Sequence, residues 1–171
     1  MSAILLAALL TAAQPAVWTQ DDREPVCVYD GLLAAARAGA LDQPRINATR
    51  DECRQRFGWT EDQARHGVAV AVASFRMVAA DGEARNAGVD PSVIDAVTES
   101  FGTADAATLI SPGGAVTEQG RATIALVVRR VRERGLTGEQ ATKATEAVLS
   151  RMQARNIIAA FSAEVMPAPS P

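Results

Sequence analysis

The chain has 171 residues, 48% hydrophobic and 22% charged, which suits one domain with a real core and excludes wholesale disorder. Its 17 Lys+Arg against 20 Asp+Glu give a net charge of −3. That excludes a general nucleic-acid binder, which needs a basic face to displace counterions.

Met1 to Trp18 carry no charged side chain. The apolar run from Ala3 to Leu10 ends in Thr11-Ala12-Ala13, small residues that suit signal cleavage. A signal peptide is therefore expected over 1–16, cleaved after Ala13 or Ala16. The run is short for a bilayer span, which needs ~20 apolar residues. No later segment is long and apolar enough either. The mature chain is expected in the periplasm or secreted, as a helical domain over 17–166 with a Pro-rich tail over 167–171.

Cys27 and Cys53 fit that compartment. One pair in an exported chain is most simply one disulfide. It would close a loop of about 26 residues, worth roughly 3 kcal/mol. The spacing is not the C-x-x-C of a redox pair. Cys27 follows Arg23-Glu24-Pro25-Val26, a charged stretch unlike a lipidation site.

Gly and Pro punctuate the chain from Cys27 onward, and the segments between them have helical periodicity. A first helix is predicted near Val28 to Ala38, with Leu32, Leu33 and Ala36 on one face and Gly39 at its end. Asp42-Gln43-Pro44 reads as a turn. Thr49 and Glu52 form a capping-box pattern for a short helix ending at Gly58. Thr60 and Gln63 repeat the pattern. They open a helix carrying Ala64, Val68, Ala71, Phe75 and Val78, with Val70, Ala73 and Met77 as a second stripe. The run Val68 to Ala73 would also suit a buried strand, but length, Ala content and the cap favour helix. Asp81-Gly82 and Asn86-Ala87-Gly88 mark its end or a break.

Asp90-Pro91 starts the next helix, with Val93, Ile94, Val97 and Phe101 inward and Gly102 closing it. Ser111-Pro112-Gly113-Gly114 is a loop. Thr117 caps a helix with Ile124, Val127, Val128 and Val131 inward, ended by Gly135. Thr137 with Gln140 opens the last helix, along Ala141, Ala144, Val148, Met152 and Ile158. The expectation is an all-α single domain of five or six helices with short antiparallel connections.

Two joints share a phrase. Gly58-Trp59-Thr60-Glu61-Asp62-Gln63-Ala64 and Gly135-Leu136-Thr137-Gly138-Glu139-Gln140-Ala141 both read Gly, bulky apolar, Thr, two residues, Gln, Ala. A helix–turn–helix joint explains the phrase physically. The Leu136–Gln140 string and its near copy Trp59–Gln63 also resemble the paired L-T-x-x-Q motif of small helical periplasmic stress chaperones and metal-stress sensors. That resemblance implies a periplasmic chaperone or stress-response role as an alternative function.

Few groups suit catalysis. His66 is the single histidine. Asp62, four residues earlier, shares its helix face, so a carboxylate-oriented base is one reading of the pair and a plain surface contact is the other. No G-x-S-x-G elbow is present, and Gly113-Gly114 lacks the Lys-Ser/Thr of a phosphate loop. Two Cys and one His cannot complete a zinc site alone. No metal and no cofactor is expected.

Arg129, Arg130, Arg132 and Arg134 form the densest basic cluster. Cations in the last turns of a helix complement its dipole; the cluster is otherwise a candidate patch for an anion or a partner, such as lipid headgroups. Asn47-Ala48-Thr49 matches a glycosylation sequon. These features together suggest a non-catalytic exported helical protein with a binding or structural role in the cell envelope. Its partner would be a protein or an envelope component, and not nucleic acid.

Overall fold

The computed structural model describes residues 23–107, 109–110 and 115–165. The expected signal peptide, the tail over 167–171 and the 111–114 loop lie outside the described residues. Among the described residues there are seven helices. They are α1 (Arg23–Arg37), α2 (Gln43–Phe57), α3 (Glu61–Asn86), α4 (Pro91–Glu99), α5 (Thr103–Ala107), α6 (Glu118–Glu133) and α7 (Gly138–Val165). The only β pairing described is an isolated antiparallel bridge between Ile110 and Val116. The chain is all-α, with one helix more than the expected upper count because α5 carries no apolar period to betray it.

These helices form two compact units. The first takes described residues up to Phe75 and from Ile157 onward; the second runs from Arg76 to Asn156. Helices α3 and α7 each contribute residues to both.

In the first unit, α1 buries Val26, Val28, Tyr29, Leu32, Leu33, Ala35 and Ala36. It begins five residues before the expected Val28. Pro25 does not prevent this, because a first-turn residue needs no intrahelical N–H.

Helix α2 also begins earlier than expected. Asp42 is its N-cap, accepting the Arg45 N–H at 2.8 Å, with Pro44 in the first turn. The expected turn at Asp42-Gln43-Pro44 is thus a helix start, which is where Pro is favoured. Thr49, expected as the cap, sits mid-helix and is 1% exposed. Only Thr49 and Cys53 of α2 are buried. The two helices pack closely at Gly31, where a Cβ would lie 2.4 Å from Thr49 Cγ2. Rings complete this unit: Tyr29 meets Phe75 at 4.9 Å, and Trp59 lies 5.4 Å from Phe57 and 5.2 Å from Phe161. The Trp59 indole N–H donates to Glu24 at 2.8 Å.

The second unit is built from aliphatic and small side chains. Ile94 and Val97 of α4, Val127 and Val131 of α6, and Ala144, Val148 and Met152 of α7 form one buried cluster. Helix α4 packs on α6. Asp90 caps α4 by accepting the Ser92 N–H at 2.9 Å. That backbone N–H, and then the Ser92 hydroxyl, hold the Asp90 carboxyl below its ordinary pKa. Thr117 caps α6 through the Gly120 N–H at 2.8 Å.

Two expected helix ends differ. Helix α3 passes through Asp81-Gly82 and stops at Asn86, the second of its two expected ends. One Gly costs a helix only about 1 kcal/mol, and here Asp81 is held by Arg151 while Ala84 is fully buried. Gly102 does not close α4, which stops at Glu99 with Ser100 as its C-cap. Gly102 instead precedes α5, donating its N–H to Asp105 at 2.8 Å.

Candidate functional site

The two Gly–apolar–Thr–x–x–Gln joints are built differently. At the first, Gly58 has φ +69 and lets the Trp59 N–H return to the Arg54 carbonyl at 3.0 Å. Gln63 Oε1 then accepts the Thr60 N–H at 2.8 Å, and Thr60 Oγ1 accepts the Gln63 N–H at 3.2 Å. This is a complete capping box. At the second, the expected Thr137–Gln140 box is absent. Gly138, between them, has φ +54, which turns the backbone left-handed where the box needs a regular first turn. Gln140 instead donates to the Gly88 carbonyl at 3.4 Å.

His66 does not pair with Asp62. Its Nδ1 lies 2.8 Å from Glu164 Oε2, while the Asp62 carboxylate is taken by Arg65. Helix α7 brings in a carboxylate that i,i+4 spacing on α3 could not reveal. The His66 side chain is 59% exposed, so water competes at any proton it handles. Cys27 and Cys53 form a disulfide with Cα atoms 6.0 Å apart, joining α1 to α2. Both cysteines are engaged, so no thiol is left to pair with His66.

The sequon is not presented on the folded chain. Asn47 is exposed, but Thr49 is buried inside α2. Its Oγ1 has no hydrogen-bond partner among the described residues.

The four arginines do not make one patch. Arg129 approaches Glu133, with Nε 3.8 Å from the carboxylate. Arg130 lies over the Phe101 ring, 5.4 Å from its centroid, a cation–π contact. Arg134 is the exposed C-cap of α6. Arg132 is exposed and lines an open pocket of about 510 Å³ between the end of α6 and the start of α7. Val128, Ala141, Thr142, Thr145 and Glu146 share the lining. Next to it, the Lys143 ammonium binds Glu83 at 2.7 Å and Glu146 at 3.0 Å. These hydrogen bonds, Glu83 first, raise the Lys143 pKa and keep it charged. Sequence reasoning singles out Arg132 but misses the pocket, because Thr142, Thr145 and Glu146 read as ordinary polar positions of a helix.

Among the described residues, no group of three His, Cys, Asp or Glu side chains could hold a metal ion. No described helix is long and apolar enough to cross a membrane. Comparison with protein families, curated proteins and solved structures finds no match to this chain.

Proposed function

We propose that the chain is an exported helical protein that acts by binding in the cell envelope, without covalent chemistry. The observation that carries this reading is the Cys27–Cys53 disulfide. Disulfides form and persist in oxidising compartments and are rare in the cytosol. The charge-free opening of the sequence, with its small residues near Ala13 and Ala16, points the same way. His66 takes its carboxylate from Glu164 rather than Asp62, but its side chain is 59% exposed and no free thiol accompanies it, which weakens a general-base reading.

Intact mass of the chain recovered from a bacterial periplasmic fraction tests the proposal, with thiol alkylation before and after reduction. The expected product lacks the first 13 or 16 residues and is alkylated only after reduction. Full-length chain in the cytosol with two free thiols overturns it.

The second reading is a periplasmic chaperone, carried by the two T-x-x-Q strings. Gln63 and Gln140 are both engaged in holding helix joints, and that structural use is why binding without client holding is preferred. An aggregation assay with a chemically unfolded client separates the two. Suppression at equimolar chain favours the chaperone, and no suppression removes it.

A further inference from the structure

We propose that the pocket between α6 and α7 binds a small zwitterion of the amino-acid class. Its carboxylate would sit on Arg132, and its ammonium on Glu146 and the two threonine oxygens. What selects such a ligand is the division of the lining into groups that donate and groups that accept.

Arg132 carries only donors. It forms no ion pair among the described residues, unlike Arg129 with Glu133. Glu146 carries only acceptors. Lys143 occupies its Oε2 at 3.0 Å, which leaves Oε1 for another donor. Thr142 donates its hydroxyl proton to the Gly138 carbonyl at 3.2 Å, and Thr145 to the Ala141 carbonyl at 2.7 Å. With those protons turned to the helix backbone, both hydroxyl oxygens present lone pairs that accept.

The pocket therefore has a donor pole at Arg132 and an acceptor pole at Thr142, Thr145 and Glu146. These opposite charges line one space without meeting as an ion pair. A simple anion would satisfy Arg132 but leave Glu146 Oε1 and the two threonine oxygens without a donor. A simple cation would have the reverse difficulty. A molecule carrying both charges satisfies both poles, and Val128 and Ala141 offer apolar surface for its side chain. A volume of about 510 Å³ lies within the ~300–1,000 Å³ of small-ligand sites.

This inference does not rest on export. A cytosolic chain with free thiols would sink the envelope reading and leave the pocket untouched.

The test is calorimetric titration of the full chain with L-leucine and with the dipeptide Gly-Leu. Isocaproate and isopentylamine serve as leucine analogues that keep one charge each. At least one of the two zwitterions is expected to saturate a single site at millimolar concentration. Each analogue should bind about tenfold more weakly than leucine, because one pole of the pocket loses its charge-assisted contacts to the ligand. Arg132→Gln and Glu146→Gln should each lose about tenfold in affinity. Both residues sit at the surface, so both variants should melt with the parent chain, which separates lost binding from lost folding. Three outcomes overturn the proposal: neither zwitterion saturates, isocaproate binds as tightly as leucine, or both variants bind unchanged.

Discussion

Both units bury aliphatic side chains among alanines, but the first adds a disulfide and a set of ring contacts, whereas the second relies on its aliphatic packing. The Tyr29–Phe75 pair and the Phe57–Trp59–Phe161 chain all belong to the first. In the second, the ring of Phe101 meets a cation, Arg130, rather than another ring. The difference traces to α2. Its sequence, QPRINATRDECRQRF, has no apolar stripe, and only two of its residues are buried. Hydrophobic burial of roughly 25 cal/mol per Å² cannot hold such a helix. A covalent bond on one side and the Phe57–Trp59 stack at its end take that place. Helices α4 and α6 need no such device, because Ile94, Val97, Val127 and Val131 line up inward.

The largest expected effect follows from that contrast. Reduction, or the double substitution Cys27→Ala with Cys53→Ala, should lower stability by about 3 kcal/mol on the loop-entropy model. The loss should be regional. Amide exchange measured by mass spectrometry should accelerate across Gln43–Phe57, while α4 and α6 keep their protection. If α2 stays as protected as α6 after reduction, its ion pairs hold it and the contrast fails. Those pairs include Arg50 with Asp51 at 2.8 Å, Arg54 with Glu61 at 3.1 Å and Arg45 with Glu52 at 3.6 Å; each keeps solvent access and is expected to contribute little.

A smaller effect compares close approach in the two units. In the first, a Cβ at Gly31 would meet Thr49 Cγ2 at 2.4 Å. In the second, a Cβ at Gly120 would meet the Leu109 carbonyl oxygen at 2.4 Å. Backbone yields less readily than a side chain. That carbonyl also accepts the Thr117 N–H at 3.3 Å. Gly120→Ala should therefore cost about 2 kcal/mol and Gly31→Ala about 1 kcal/mol, read as midpoints of thermal unfolding. A larger loss at Gly31 would mean that α1 and α2 are as tightly constrained as the segment before α6.

Much of the fold is legible in the sequence, for a reason visible in particular residues. The apolar periodicity of Ile94, Val97, Val127, Val131, Val148 and Met152 reports burial directly, and all six are in the core. Asp90-Pro91 and Thr117 announce helix starts by local chemistry alone. What could not be read depends on groups far apart in the chain. Thr49 and Asp42 are both good cap residues; Pro44 in the first turn favours Asp42, and packing against Gly31 then buries Thr49 inside the helix. His66 finds Glu164 ninety-eight residues away. The pocket at Arg132 follows from two helices approaching, and neither carries a motif for it. The four arginines share a stretch of sequence, but helical rotation sends each to a different environment.

The smallest expected effect has the opposite sign. Gly82 also lies in the second unit, inside α3, and a Cβ there would meet nothing within 4 Å. Its backbone is not left-handed, so alanine can adopt it without strain. Gly82→Ala should then stabilise the chain by about 0.5–1 kcal/mol, chiefly by restricting the unfolded state. The denaturant midpoint should rise with an unchanged slope. This substitution also tests why α3 continues past the Asp81-Gly82 pair that reads as a stop. If Arg151 on Asp81 and the buried Ala84 carry the helix through, Gly82 contributes only flexibility, and removing it helps. A fall in midpoint would instead mean that α3 needs freedom at this position, with Asp81-Gly82 serving as the break its sequence suggests.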